Sequence, residues 1–249
     1  MRQMGSCRCL IHLTMPVVDN FNIEFQLEDA DKLKSLSCNG SMHPRIRGMF
    51  PEILACLHEA ALVVPRVSYE IVEIDSVSPG LITLQGDKKL LSPLLSHRLA
   101  KATYMSFGVA TIGKAVAKTI SEWFAEGHHV KAFVLEEIAN ASLFRLSEQL
   151  HDLIETEAAR LGLTMSGSAS PGDHDGFDIN QQETVLDLAG AGAVGINITS
   201  TNQMDPVHSI SIVSGIGRNM KKWSRADNCS ICRAREKCVH RLNYEELTA

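Results

Sequence analysis

A chain of 249 residues makes one large domain or two small ones, and is long enough to bury a sizeable core. Its 45% hydrophobic and 21% charged content is that of an ordinary globular protein, and no run of 18 apolar residues is present to span a membrane. The net charge of −5 hides an asymmetry: Arg218 to Arg241 holds eight Lys and Arg against Asp227 and Glu236, leaving about −11 on the remainder, an acidic body that argues against general nucleic-acid binding.

Met1 to Val18 lacks the continuous apolar stretch of a secretory signal. Together with seven cysteines, an odd number, this predicts a cytoplasmic protein whose thiols serve a metal or redox purpose and not a disulfide framework. Cys7-Arg8-Cys9 is either a pair of free thiols or a source of one extra ligand.

Phe21 to Leu27 alternates apolar and polar residues, the pattern of a half-buried strand, and Cys38 to Ser41 has turn chemistry. Apolar residues at helical spacing predict an amphipathic helix over Arg47–Val63, closed by Pro65. Val67–Ile74 and Leu81–Leu84 read as strands joined by the turn Ser78-Pro79-Gly80, Leu90–Leu99 as a short helix, and Thr103–Ile112 as a central strand apolar on both faces. Two helices follow, Lys114–Phe124 and Val130–Leu161. The second carries Val134, Ile138, Ala141, Leu146, Leu150 and Leu153 on one stripe and ends at Gly162.

Met165 to Asn180 is dense in Gly, Ser, Asp and Pro and reads as a long functional loop. Gln181–Leu188 is a short helix, and Val194–Thr199 and His208–Ile216 are strands joined by Ser200 to Pro206. Helices and strands alternate without regular βαβ units, which predicts an α+β fold. Gly190 to Gly195 matches G-x-G-x-x-G, but a helix precedes it and a strand follows. That order is the reverse of what dinucleotide binding needs, so the stretch is a helix-to-strand connection.

Two stretches carry candidate chemistry. Asp173-His174-Asp175-Gly176-Phe177-Asp178 gathers three carboxylates and an imidazole; it is either a solvated turn or a ligand-facing loop, and Asn202, Gln203 and Asp205 are placed to share its cleft. At the C terminus, Cys229, Cys232, Cys238 and His240 follow C-x2-C-x5-C-x-H, in which two thiolates grip one centre from a tight turn and a third closes on it. Cations around these thiols lower their pKa values. With His240 the set completes a Cys3His zinc site. As an iron–sulfur cluster it takes its fourth ligand from His240, from Cys7 or Cys9, or from outside the chain.

Ser170-Pro171-Gly172, Gly195 to Ser200, Met204 to Ser211 and Gly215-Ile216-Gly217, in that order and spacing, resemble the activation (reactivation) domain of cobalamin-dependent methionine synthase and its stand-alone relatives in corrinoid methyltransferase systems. The resemblance implies a single α+β domain over 1–217 with a twisted antiparallel sheet and long helices, to which 218–249 adds a small cysteine-rich metal module. It implies a corrinoid-binding protein or methyltransferase as partner, with S-adenosylmethionine as the ligand and reductive methylation of the corrinoid as the activity. It further places Ser170, Pro171, Gly172, Asp173, His174, Asp175, Thr199, Ser200, Met204 and Ser209 at the ligand site. The family's R-x-x-P-G-Y motif has Ser168 and Asp173 here in place of its Arg and Tyr, and Ser200 stands where T-E-S has its Glu. Without the fixed cation, weak binding of S-adenosylmethionine is expected. Docking of the partner is expected across Asp173–Asp178, Ser200–Pro206 and Arg218–Arg241, with Glu155 and Glu157 on the far side.

Overall fold

The computed structural model describes residues 17–19, 21, 23–33, 36–38, 41–173, 176–223, 227, 230 and 235–237. Cys7, Cys9, His174, Asp175, Cys229, Cys232, Cys238 and His240 lie outside the described residues.

β7 (Tyr104–Thr111) is the middle of the molecule and is buried on both faces after its first residue, as its unbroken apolar character requires. β4 (Arg66–Ser78) lies antiparallel on one side of it, with Ser68 opposite Val109, and β11 (Ser209–Gly217) on the other, with Ser211 opposite the same valine. β5 (Leu81–Leu84), β6 (Lys88–Leu91) and β8 (Thr164–Ala169) complete a sheet of order β6-β5-β4-β7-β11-β8, and β1 (Val17–Val18) pairs with the start of β4. β2 (Ser37–Cys38) pairs with β3 (Ser41–Met42), and β9 (Asn197–Ile198) with β10 (Met204–Asp205), as separate two-stranded sheets.

Alternation along the strands divides the core in two. On one face Val67, Tyr69, Ile71, Ala110, Ile212 and Ile216 meet α2 (Phe50–Glu59), α4 (Ala115–Ala125) and α5 (His129–Arg160). On the other, Met105, Phe107, Val109 and Val213 meet α3 (Pro93–Arg98) and α6 (Gln182–Leu188). The 32 residues of α5 run about 48 Å across the first face. Its expected stripe is there: Val134, Ile138, Leu146 and Leu150 are fully buried. The helix comes close because β7 has Gly108 beneath it: a Cβ there would lie 3.1 Å from both Leu150 Cδ2 and Ile212 Cγ1. Among the described residues no helix is long and apolar enough to cross a membrane.

Several elements differ from expectation, each for a local reason. The described residues of Phe21–Leu27 form no strand; Ile23 and Phe25 are buried and Glu24 and Gln26 exposed, and the segment passes into a 3-10 turn at Leu27–Lys32. Periodic burial here reflects an arm lying on the core, with Phe25 stacked on Phe50 at 6.3 Å. Arg47–Val63 is not one helix: α1 (Pro44–Arg47) ends at Gly48, and α2 restarts with Pro51 in its first turn. Leu90–Leu99 divides at Ser92, which caps α3 by accepting from Leu95 N at 3.0 Å, so that Leu90 and Leu91 end β6. The loop expected from Met165 begins only after Ala169, because Thr164–Ala169 is the end strand β8. Val194–Thr199 shrinks to the two residues of β9. The glycine-rich connection before it is a 3-10 turn, Ala191–Val194, flanked by left-handed Gly190 and Gly195.

Candidate functional site

The second face of the sheet carries an open cleft of about 970 Å3, between the end of β6, the start of α3 and the stretch from Pro171 to Gln181. Its geometry begins at Gly176, whose φ of +90° is a left-handed conformation that glycine adopts freely. The Gly176 carbonyl accepts from Ser92 Oγ at 2.6 Å and from Leu94 N at 3.2 Å, and a Cβ on Gly176 would lie 3.1 Å from that same nitrogen. Ser92 therefore caps α3 and holds the loop to it with one hydroxyl. Gly172 N donates to Phe177 O at 2.8 Å, closing the loop on itself, and Phe177 is fully buried beneath. Asp178 caps the following 3-10 turn by accepting from Asn180 N at 2.8 Å.

β11 anchors both sides of the cleft. Ser170 Oγ donates to Ser211 O at 2.5 Å, and Gln182 Nε2 donates to Ser211 Oγ at 3.1 Å. Asn202 Nδ2 donates to Asn180 Oδ1 at 2.9 Å, which ties the β9–β10 connection to the cleft, but neither Gln203 nor Asp205 lines it, and Asp205 pairs with Lys114 at 3.0 Å instead. Thr199 and Ser200 are exposed on that connection, where Thr199 N donates to Gln203 O at 2.8 Å, and Met204 is half-buried in β10. Ser209 sits apart from these residues, inside the sheet, with its Oγ 2.7 Å from Pro206 O and 2.9 Å from Thr111 Oγ1. Of the expected site residues, Pro171, Gly172 and Asp173 line the cleft and Ser170 supports it.

The lining is acidic and apolar. Asp173 and Asp178 face Leu91, Pro93, Pro171 and Ile179, and none of the described lining residues is Lys or Arg. Leu91 and Ile179 are large apolar side chains left 56% and 43% exposed, which gives the mouth a hydrophobic rim. The sequence reading missed Leu91 and Pro93 because it continued a helix through them; Ser92-Pro93, a cap followed by proline at the first helical position, was the signal for the break.

Two further contacts lie outside the cleft. His208 is buried, with Nε2 3.2 Å from Glu136 Oε1, and this contact holds the Glu136 carboxyl below its ordinary range. Lys222 pairs with Glu155, so the end of α5 is a neighbour of the basic segment and not its far side, and Glu157 is taken up by Arg160 at 2.6 Å.

An antiparallel six-strand path with a long helix on one face and an open cleft on the other is a fold that this chain shares with a solved structure. The crystal structure of the MetH reactivation domain bound to AdoHcy has this architecture: it superposes with a TM-score of 0.60 over 90% of this chain and 85% of that one, at 16% sequence identity. No family model matches the chain, and no curated protein matches it.

Proposed function

We propose that this protein is an accessory factor of corrinoid-dependent methyl transfer, acting on the cobalt of a corrinoid-carrying partner. The observation that carries this reading is the fold shared with the MetH reactivation domain over nine-tenths of the chain. The cleft supports it: it is open, has an apolar rim, and is lined by the Pro171-Gly172 stretch that the resemblance assigns to ligand binding, with Asn202 of the β9–β10 connection bonded to its Asn180.

S-adenosylmethionine fits this cleft poorly. Its carboxylate needs a cation, and the described lining offers Asp173 and Asp178 instead. The mechanism we favour therefore routes no methyl group through that ligand. The proposed role is reductive: Cys229, Cys232 and Cys238 would hold an iron–sulfur cluster, which would supply the single electron that takes the partner's inactive cobalt(II) to cobalt(I) and would itself be re-reduced by a cellular electron donor. The basic residues around the cysteines offset the thiolate charge.

The test is a titration of the anaerobically purified protein into cob(II)alamin, followed by absorbance, together with binding to a purified corrinoid protein. Saturable change in either assay is expected. Failure of both would overturn the reading. Iron and sulfide in the protein support the reductive role; one tightly held zinc with no iron would make the C terminus a scaffold.

A further inference from the structure

The segment that leaves β11 does not run into solvent. Gly217 is followed by a turn, and residues 218–223 fold back along β8, the end strand of the sheet. Met220 N donates to Thr164 Oγ1 at 2.8 Å, Lys222 pairs with Glu155, and Trp223 Nε1 donates to Ser168 O at 3.0 Å. The Arg98 guanidinium, at the end of α3, lies 4.8 Å from the centre of the indole. Thus β8, α3 and α5 all hold six residues of chain.

The seat of the indole is Gly167. A Cβ on this residue would lie 2.3 Å from Trp223 O and 2.6 Å from two carbons of the ring, which no real side chain tolerates. Its backbone is not left-handed, so the glycine is there to make room and not to turn the chain. β8 is bulged at this point: Ser166 and Gly167 together oppose Gly215, and Ser166 Oγ accepts from Gly215 N at 2.9 Å. A bulge sharpens the local twist and re-aims side chains, and here it turns Gly167 and Ala169 toward the face that carries the cleft, where Trp223, like Leu94 and Ala102, packs against the buried cluster of that face. α3 joins the two places, with Pro93 at the cleft and Arg98 on the indole, about 7.5 Å apart along a six-residue helix.

We propose that residues 218–223 are a clasp, with Trp223 as pin and Gly167 as seat, that fixes the start of the cysteine-bearing C terminus on the cleft face of the sheet. Six residues separate Trp223 from Cys229, so a pinned Trp223 holds that cysteine within about 20 Å of the seat. Freed from it, the module would be tethered only at Gly217, and its reach would roughly double. The clasp itself stands on these contacts; its purpose, keeping the cysteine centre beside whatever occupies the cleft, rests on the function proposed above.

The chain has two tryptophans, so Trp123→Phe leaves Trp223 as the only indole reporter. In that full-length background, Gly167→Ala should red-shift the emission toward that of a free indole. It should also speed tryptic cleavage after Lys221, Lys222 or Arg225 at least tenfold, with far-UV circular dichroism unchanged. If Gly167→Ala disturbs folding, Arg98→Ala, which removes the guanidinium over the ring, should give a smaller shift in the same direction. Unchanged emission and cleavage in both variants would overturn the clasp. For its purpose, Gly167→Ala should leave iron content and cob(II)alamin binding as they were while slowing electron transfer to the bound corrinoid at least tenfold. An unchanged rate would reject the purpose. A protein that takes up no iron or corrinoid would reject the function instead, leaving the clasp to be judged by emission and cleavage.

Discussion

The Arg145 guanidinium reaches Asp29 with Nη2 2.6 Å from Oδ1, and its other terminal nitrogen donates to Glu24 O at 2.8 Å. Asp29 is only 8% exposed, so α5 holds the N-terminal arm through a pair that is largely removed from water. The guanidinium also lies 5.5 Å from the centre of Phe25. Replacing Arg145 with Ala removes the foremost partner of a carboxylate that keeps only Lys32 and the Gln26 N–H, and it uncovers the ring. We expect a loss of about 2–4 kcal/mol, read as a lower urea midpoint at pH 7.

The same pair sets an acid limb. Arg145, foremost, then Gln26 N–H and Lys32, hold the Asp29 carboxyl well below the usual carboxylate range despite partial burial. Because the folded value is depressed, the stabilisation is complete above the unfolded value, about 3.9, and is lost as pH falls from there through the folded value. Urea midpoints of wild type should therefore drop steeply below about pH 4. Those of Arg145→Ala should drop less over that window. Parallel curves would show that Asp29 does not govern the limb.

Gly108 and Leu150 should be coupled. Gly108→Ala forces the α5 contact apart and should cost about 1–3 kcal/mol by overpacking. Leu150→Ala, at a fully buried position, should cost about 2–5 kcal/mol by leaving a cavity. The new methyl then fills part of that cavity, so the double variant should be more stable than the sum of the two losses predicts. Strict additivity in denaturant unfolding would contradict the close approach.

For the ligand, calorimetry with S-adenosylmethionine should show binding at least tenfold weaker than in a homologous domain that keeps the Arg, since charge-assisted hydrogen bonds contribute about 1.5–3 kcal/mol. Ser168→Arg with Asp173→Tyr should recover part of that affinity. Low-micromolar binding by the wild type would restore the methyl-donor route that we set aside.

At the C terminus, Ser in place of Cys229, Cys232 and Cys238 should abolish metal content in anaerobically purified protein and leave the far-UV spectrum of the sheet and helices intact. Full retention of metal would remove these cysteines from consideration. Charge reversal tests docking separately. Lys221→Glu with Lys237→Glu, on the basic segment, should slow association with a corrinoid protein and reduce its salt dependence. Lys118→Glu, on α4 across the sheet, should do neither. Lys222 is unsuitable for this purpose, because its reversal also breaks the pair with Glu155.

The parts of the fold that could be read from sequence are those where one physical signal dominated. Thr103–Ile112 and the stripe of Val130–Leu161 are long, strongly patterned segments, and β7 and α5 lie within a residue or so of where they were expected. Thr164–Ala169 failed because its Gly and Ser look like loop residues. They are small to accept Trp223 and to build a bulge against Gly215, and that reason lies some 50 residues away in the chain. Phe21–Leu27 failed for the opposite reason, since correct alternation does not say whether an extended segment finds a partner strand. The cleft was half legible. Asp173 was marked by its carboxylate-rich run and Pro171 and Gly172 by the family resemblance, whereas Leu91 and Ile179 are ordinary apolar residues that only the fold leaves exposed.

The backfolding of residues 218–223 along β8 also decides where the chain can be cut. A protein shortened after Gly217 would lose the cover over its last strand and present a row of unpaired backbone donors and acceptors, with a hydrophobic trough at Gly167 beside them. Such edges recruit strands from other molecules. Shortened protein should accumulate as edge-to-edge oligomers at concentrations where one ending just beyond Trp223 stays monodisperse, so the smallest well-behaved unit of this molecule includes its indole.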